Sequence, residues 1–88
     1  MRTIYKYAIE ATDDLIIEMP KGAIILTVQV QRGYPCIWAI IDTNAPMVRR
    51  HLKVFRTGHP MPATIPYIGT FQIMGGDLVF HLFDVGEL

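Results

Sequence analysis

The run from Ala23 to Gln31 alternates: Ile24, Leu26, Val28 and Val30 fall on one side, Ile25, Thr27, Gln29 and Gln31 on the other. A period of two predicts a half-buried strand, because successive side chains of an extended chain point to opposite faces. Arg32-Gly33-Tyr34-Pro35 follows, where a glycine free to take positive φ and a proline of fixed φ predict a reversal. The next run, Cys36 to Asp42, is apolar on both faces and carries Trp38, as expected of a central strand with Trp38 in the core.

The same alternation appears elsewhere. Arg2 to Ile9 sets Thr3, Tyr5, Tyr7 and Ile9 against Arg2, Ile4, Lys6 and Ala8. Glu10 to Asp14 reads as a polar turn, and Leu15 to Met19 as a short strand broken by Pro20-Lys21-Gly22. Thr43 to Met47 reads as a loop. Val48 to Thr57 sets Arg50, Leu52, Val54 and Arg56 against Arg49, His51, Lys53 and Phe55. Gly58 to Pro66 holds three prolines in nine residues, so a surface loop is predicted there. A final hairpin joins Tyr67–Met74 to Leu78–Asp84 across Gly75-Gly76-Asp77, with Val85 to Leu88 as a tail. Six to seven strands and no helix predict one all-β domain over residues 1–88, a small antiparallel sandwich or barrel.

Composition sharpens this picture. The chain has 88 residues, 51% of them hydrophobic and only 18% charged, where soluble domains average about 25% charged. So small a body does not readily bury that much apolar surface alone, and a homo-oligomer is expected. A single cysteine, Cys36, excludes an internal disulfide and fits a reducing, cytoplasmic setting. The longest apolar runs fall far short of the roughly 20 residues of a membrane-spanning helix, so no membrane role is expected. A formal net charge of zero argues against a general nucleic-acid binder.

Candidate chemistry concentrates on the fifth strand. Arg49, Arg50, Lys53 and Arg56 are four of the eight basic residues. Alternation puts Arg49, His51 and Lys53 on one face, a stripe suited to phosphate or carboxylate. The plain alternative is a solvated face paired with acids of the Glu10–Glu18 segment, which holds four of the eight acidic residues. His59 stands at a loop entry, where binding residues concentrate. Tyr34 and Tyr67 flank turns and are candidates to stack a planar ligand. His81 reads as a half-buried strand residue, and the three histidines lack the local spacing of metal ligands. The chain contains no serine, Cys36 lacks an electropositive neighbourhood, and no glycine-rich phosphate loop opens a helix. No enzyme, cofactor or metal is expected.

Met19-Pro20-Lys21-Gly22-Ala23 with the following Val-Gln-Val-Gln, Trp38-Ala39, Thr57-Gly58-His59, the Tyr67–Gln72 run and the Leu78–Phe83 run occur in this order. Together they resemble a family of small uncharacterised proteins of bacteriophages and prophages. That resemblance implies an intracellular phage accessory protein and transfers no site residues. By analogy of setting, the expected function is a non-enzymatic sponge that sequesters an anionic nucleotide immune signal of the host. Arg49, His51, Lys53 and Arg56 would hold phosphates, Tyr34 or Tyr67 would stack the base, and His59 would close over it. The alternatives are a module that inhibits a host defence protein and a virion-associated structural protein.

Overall fold

The computed structural model describes residues 1–61 and 65–88. Among the described residues seven strands form, in chain order β1 (Arg2–Ala8), β2 (Asp14–Pro20), β3 (Ile24–Gln31), β4 (Tyr34–Asp42), β5 (Met47–Arg56), β6 (Tyr67–Ile73) and β7 (Leu78–Glu87). They make two antiparallel sheets, one ordered β1-β4-β3 and the other β2-β5-β7-β6. The architecture is therefore a sandwich rather than a closed barrel. The only helical element among the described residues is a 3-10 turn, Met74–Gly76, in the β6–β7 hairpin. No helix there is long and apolar enough to cross a membrane.

The core lies between the sheets. Met19, Ile37, Leu52 and Leu82 are fully buried, Ile41 nearly so, and Phe71 stacks on Phe80 with ring centroids 5.5 Å apart. Each comes from the inward half of an alternating strand, which is the burial that drives the two sheets together. The sheets approach most closely where β3 meets β6. A Cβ built on Gly69 would lie 2.8 Å from a Val28 methyl and within 4 Å of the Val28 backbone. Gly69 is what lets β6 come that near.

Arg50 ties the sheets together at one end. It is nearly buried, with 12% of its side chain exposed. Its Nε and Nη2 donate to the two carboxylate oxygens of Asp84 at 2.9 and 2.6 Å, and Nη1 donates to the Ala23 carbonyl at 2.8 Å. The Glu87 carboxylate accepts from the Gly22 N–H at 2.7 Å and lies 3.9 Å from Arg50. Ala23 sits where the chain crosses from β2 in one sheet to β3 in the other, so this cluster pins the crossing.

Four expectations need correction. The β3–β4 turn is shorter than the four residues read from sequence. Arg32 (φ 53°) and Gly33 (φ 85°) alone make it, and Tyr34 and Pro35 already belong to β4. Residues 85–87 are not a tail, because β7 runs to Glu87 and pairs with β5 around a bulge at His51/Leu52. In β3 the alternation is broken by a register shift between Ile25 and Thr27. Val28 is consequently buried with Ile37, while Ile24 and Leu26 stay 51% and 45% exposed. Trp38 is not in the core: it pairs with Lys6 and Thr27 on the outer side of its sheet and is half-buried. β4 is central, as its sequence suggests, but only one face of its sheet is covered. The proline-rich loop expected over Gly58–Pro66 includes residues 62–64, which lie outside the described residues.

Candidate functional site

The outer face of the four-stranded sheet collects most of the residues with candidate chemistry. On β5 it carries Arg49, His51, Lys53 and Phe55, because their neighbours Leu52 and Val54 are buried in the core. β2 pairs alongside with Glu18 opposite Arg49, Ile16 opposite His51 and Asp14 opposite Lys53. This pairing brings the acids to the basic stripe. His51 Nε2 donates to Asp14 Oδ1 at 2.7 Å, and Lys53 Nζ lies 3.3 Å from the same oxygen. The hydrogen bond from His51, helped by Lys53, holds the Asp14 carboxyl below its ordinary value of 3.8. Two of the three outward basic side chains are thus engaged by one carboxylate, and the third faces Glu18 across the ladder.

A second group forms toward the end of β5. Lys53 and Arg56 from the strand, His59 and Pro60 from the turn after it, and Asp13 and Asp14 from the start of β2 line a cleft of about 300 Å³. The strand end makes this space. β2 begins only at Asp14, so the last ladder-side contact to β5 is Val54 N–H to the Asp13 carbonyl at 3.0 Å. Gly58, at φ 88°, turns the chain so that the His59 N–H meets the Arg56 carbonyl at 3.1 Å. Arg56 and His59 form no ion pair with an acid among the described residues.

Beside the cleft runs an aromatic row. Phe55 and Phe83 meet edge to face with centroids 5.6 Å apart, Tyr67 tilts onto Phe83 at 5.5 Å, and Lys53 Nζ sits 6.0 Å from the Phe55 ring. The row follows from the register, since Lys53 pairs with Phe83 and Phe83 with Tyr67 across adjacent strands. At its edge, Tyr67 and Thr70 hydroxyls lie 2.6 Å apart. Thr70 Oγ1 is 2.8 Å from His81 Nδ1, and Thr57 Oγ1 is 2.7 Å from His81 Nε2.

Of the seven residues singled out from sequence, Lys53, Arg56 and His59 share the cleft, and Tyr67 stands on the adjoining aromatic row. Arg49 and His51 lie further along β5, against Glu18 and Asp14. Tyr34 belongs to the other sheet, 71% exposed at the β3–β4 hairpin. Sequence reading missed Phe55, Phe83 and Asp13 as neighbours of this site. Alternation could have put Phe55 and Phe83 on outward faces, but only strand order sets them side by side. Cys36 is buried, and the described residues contain no cluster of three or more potential metal ligands.

No curated protein and no solved structure matches the chain. One family model does, over residues 1–87, and its description is a domain of unknown function, DUF7352. That match spans both sheets and every residue of the cleft, so the chain belongs to the DUF7352 family.

Proposed function

We propose that this protein is a non-enzymatic binding protein whose ligand is small, planar and anionic, a nucleotide being the chemical class that fits best. The observation that carries this reading is the convergence of Lys53, Arg56 and His59 on one cleft of about 300 Å³ next to an aromatic row. Charge-assisted hydrogen bonds from Arg56 and Lys53 suit a phosphate. Tyr67 and Phe83 offer a flat surface for a base. The cleft also carries Asp13 and Asp14, so it is selective: a bare polyanion meets two carboxylates, whereas a nucleotide brings donors on its base and ribose to satisfy them. Phosphate contact is thereby assigned to Lys53, Arg56 and His59, with His51 left to Asp14 and Arg49 standing opposite Glu18 on β2. In a bacteriophage setting, sequestration of a nucleotide signal of host immunity would be the use of such a site.

Native mass spectrometry of the protein purified from bacterial lysate tests the reading, together with NMR titration of His59 by adenosine 5′-monophosphate. The expected results are a retained nucleotide-sized mass and saturable His59 shifts. Arg56→Ala should weaken binding by about 10- to 100-fold, the worth of one hydrogen bond to a charged group. A protein with no added mass, and with His59 unmoved by the nucleotide, would refute it. The second reading, a protein-interaction module, is favoured by a different observation: the outer face of the three-stranded sheet carries the exposed apolar residues Ile4, Ile24 and Leu26.

A further inference from the structure

The outer face of the β1-β4-β3 sheet carries an exposed apolar row at its centre, with polar residues toward its two ends. Ile4, Ile40 and Ile24 pair in one register and form a straight row across the three strands. Ile4 is 55% exposed and Ile24 51%, with Leu26 at the bulge 45% exposed and Trp38 half-buried one pair further along. Lys6 is the one cation inside this face. Its Nζ reaches Gln31 Oε1 on β3 at 2.7 Å, so its methylene stem spans β4. The remaining charges, Arg2 and Asp42, stand opposite one another at one end, where Asp42 is 3.5 Å from the N-terminal ammonium.

We propose that this face is the contact surface of a homodimer, with two copies packed sheet to sheet about a twofold axis parallel to the strands. Self-complementarity is the first argument. That axis lays β1 of one copy over β3 of the other at the same level, so Ile4 faces the partner copy's Ile24 and Ile40 faces its own equivalent. Charge is the second. An axis running across the strands would lay Lys6 over Arg2 of the other copy. The axis along the strands lays it over the level of Thr27, and the one like-charge pair this axis creates, Asp42 with its own equivalent, stands at the end of the face, where each carboxylate is 3.5 Å from its own N-terminal ammonium. Area is the third. The three strands hold 7, 8 and 9 residues, and alternate ones face outward. About 12 such residues at roughly 50 Å² each give some 600 Å² per copy, at the lower limit of stable specific interfaces. A dimer of micromolar affinity is the expected consequence, and it accounts for the low charge content of the chain. This inference does not depend on the cleft, which lies on the other sheet.

The test is sedimentation velocity across a concentration series, on the wild type and on two charge variants. Wild type should be dimeric at about 100 μM and dissociate on dilution. Ile4→Glu and Ile24→Lys change exposed side chains, so each variant keeps the wild-type circular dichroism. Each should dimerise at least about 100-fold more weakly, because each buries an unpaired charge twice. Mixing the two in equal amounts should restore a dimer, since the acidic position of one copy then faces the basic position of the other. A wild-type monomer at about 100 μM would overturn the proposal and leave the face to a partner of different sequence. So would variants that still dimerise, or a mixture that stays monomeric.

Discussion

Replacing Arg50 by alanine tests whether the two sheets are held at one end by a single guanidinium. Arg50 makes three hydrogen bonds, two to Asp84 and one to the Ala23 carbonyl, with Glu87 close by. The pair is largely shielded, at 12% and 18% side-chain exposure. The hydrogen bond to Asp84, against the cost of burial, raises the Arg50 pKa further, so the guanidinium keeps its charge. Removing the guanidinium leaves Asp84 shielded without its partner and frees the carbonyl at the β2–β3 crossing. Breaking such a pair costs about 3–5 kcal/mol. A chain of 88 residues has a total stability of roughly 4–13 kcal/mol. The variant should therefore lie close to the unfolding threshold at 25 °C. Urea titration followed by far-ultraviolet circular dichroism measures the loss as a fall in midpoint at unchanged slope. Arg50→Met with Asp84→Leu removes both charges together and should recover most of the loss, because apolar groups of similar volume replace a buried pair at little cost. A loss below about 1 kcal/mol in Arg50→Ala would refute the reasoning, and so would a double variant no more stable than the single one.

Two further perturbations probe the sheet contact and the basic stripe. Gly69→Ala places a methyl 2.8 Å from the Val28 side chain and should cost about 1–3 kcal/mol by calorimetry, with partial recovery when Val28→Ala makes room. An equal loss in the presence and absence of Val28→Ala would show that the approach of β3 to β6 is not the cause. The Asp14 carboxyl, held down by His51, contributes stability that is fully present above its ordinary value of 3.8 and is lost as pH falls through its lowered folded value. The stability difference between wild type and Asp14→Asn should thus shrink as pH falls below about 4. A difference that stays undiminished on acidification below that range would contradict the assignment.

Strand identity was legible because it is a local property. The alternation in residues 2–9 and 48–57, the Gly75-Gly76-Asp77 turn and the placing of Leu52 and Val54 on one face all appear as read from the chain. The division of β5 into an Arg49–His51–Lys53 face and an Arg50–Leu52–Val54 face also follows from alternation, and sheet packing turns the first of them outward. What the stripe does depended on its neighbours. Glu10–Glu18 could be seen as acidic, but only the β2–β5 register delivers Asp14 to His51 and Lys53. A bulge adds one residue without a composition signal, which is why β3 turned Ile24 and Leu26 outward against the simple period.

An all-β chain, the turns that punctuate it and the excess of apolar residues over what so small a body encloses can all be read from the order of residues. Each of these is written in neighbouring residues, through the period of two, the φ freedom of glycine and the count of side chains. The packing of the two sheets set which sheet face is covered, so Trp38 lies on an open surface despite its apolar strand. It also decided that Phe55, Phe83 and Tyr67 become one row, and that His59 meets Lys53 and Arg56 at the end of β5. Strand order is set by long-range burial between residues dozens of positions apart, and no local pattern encodes which partner wins.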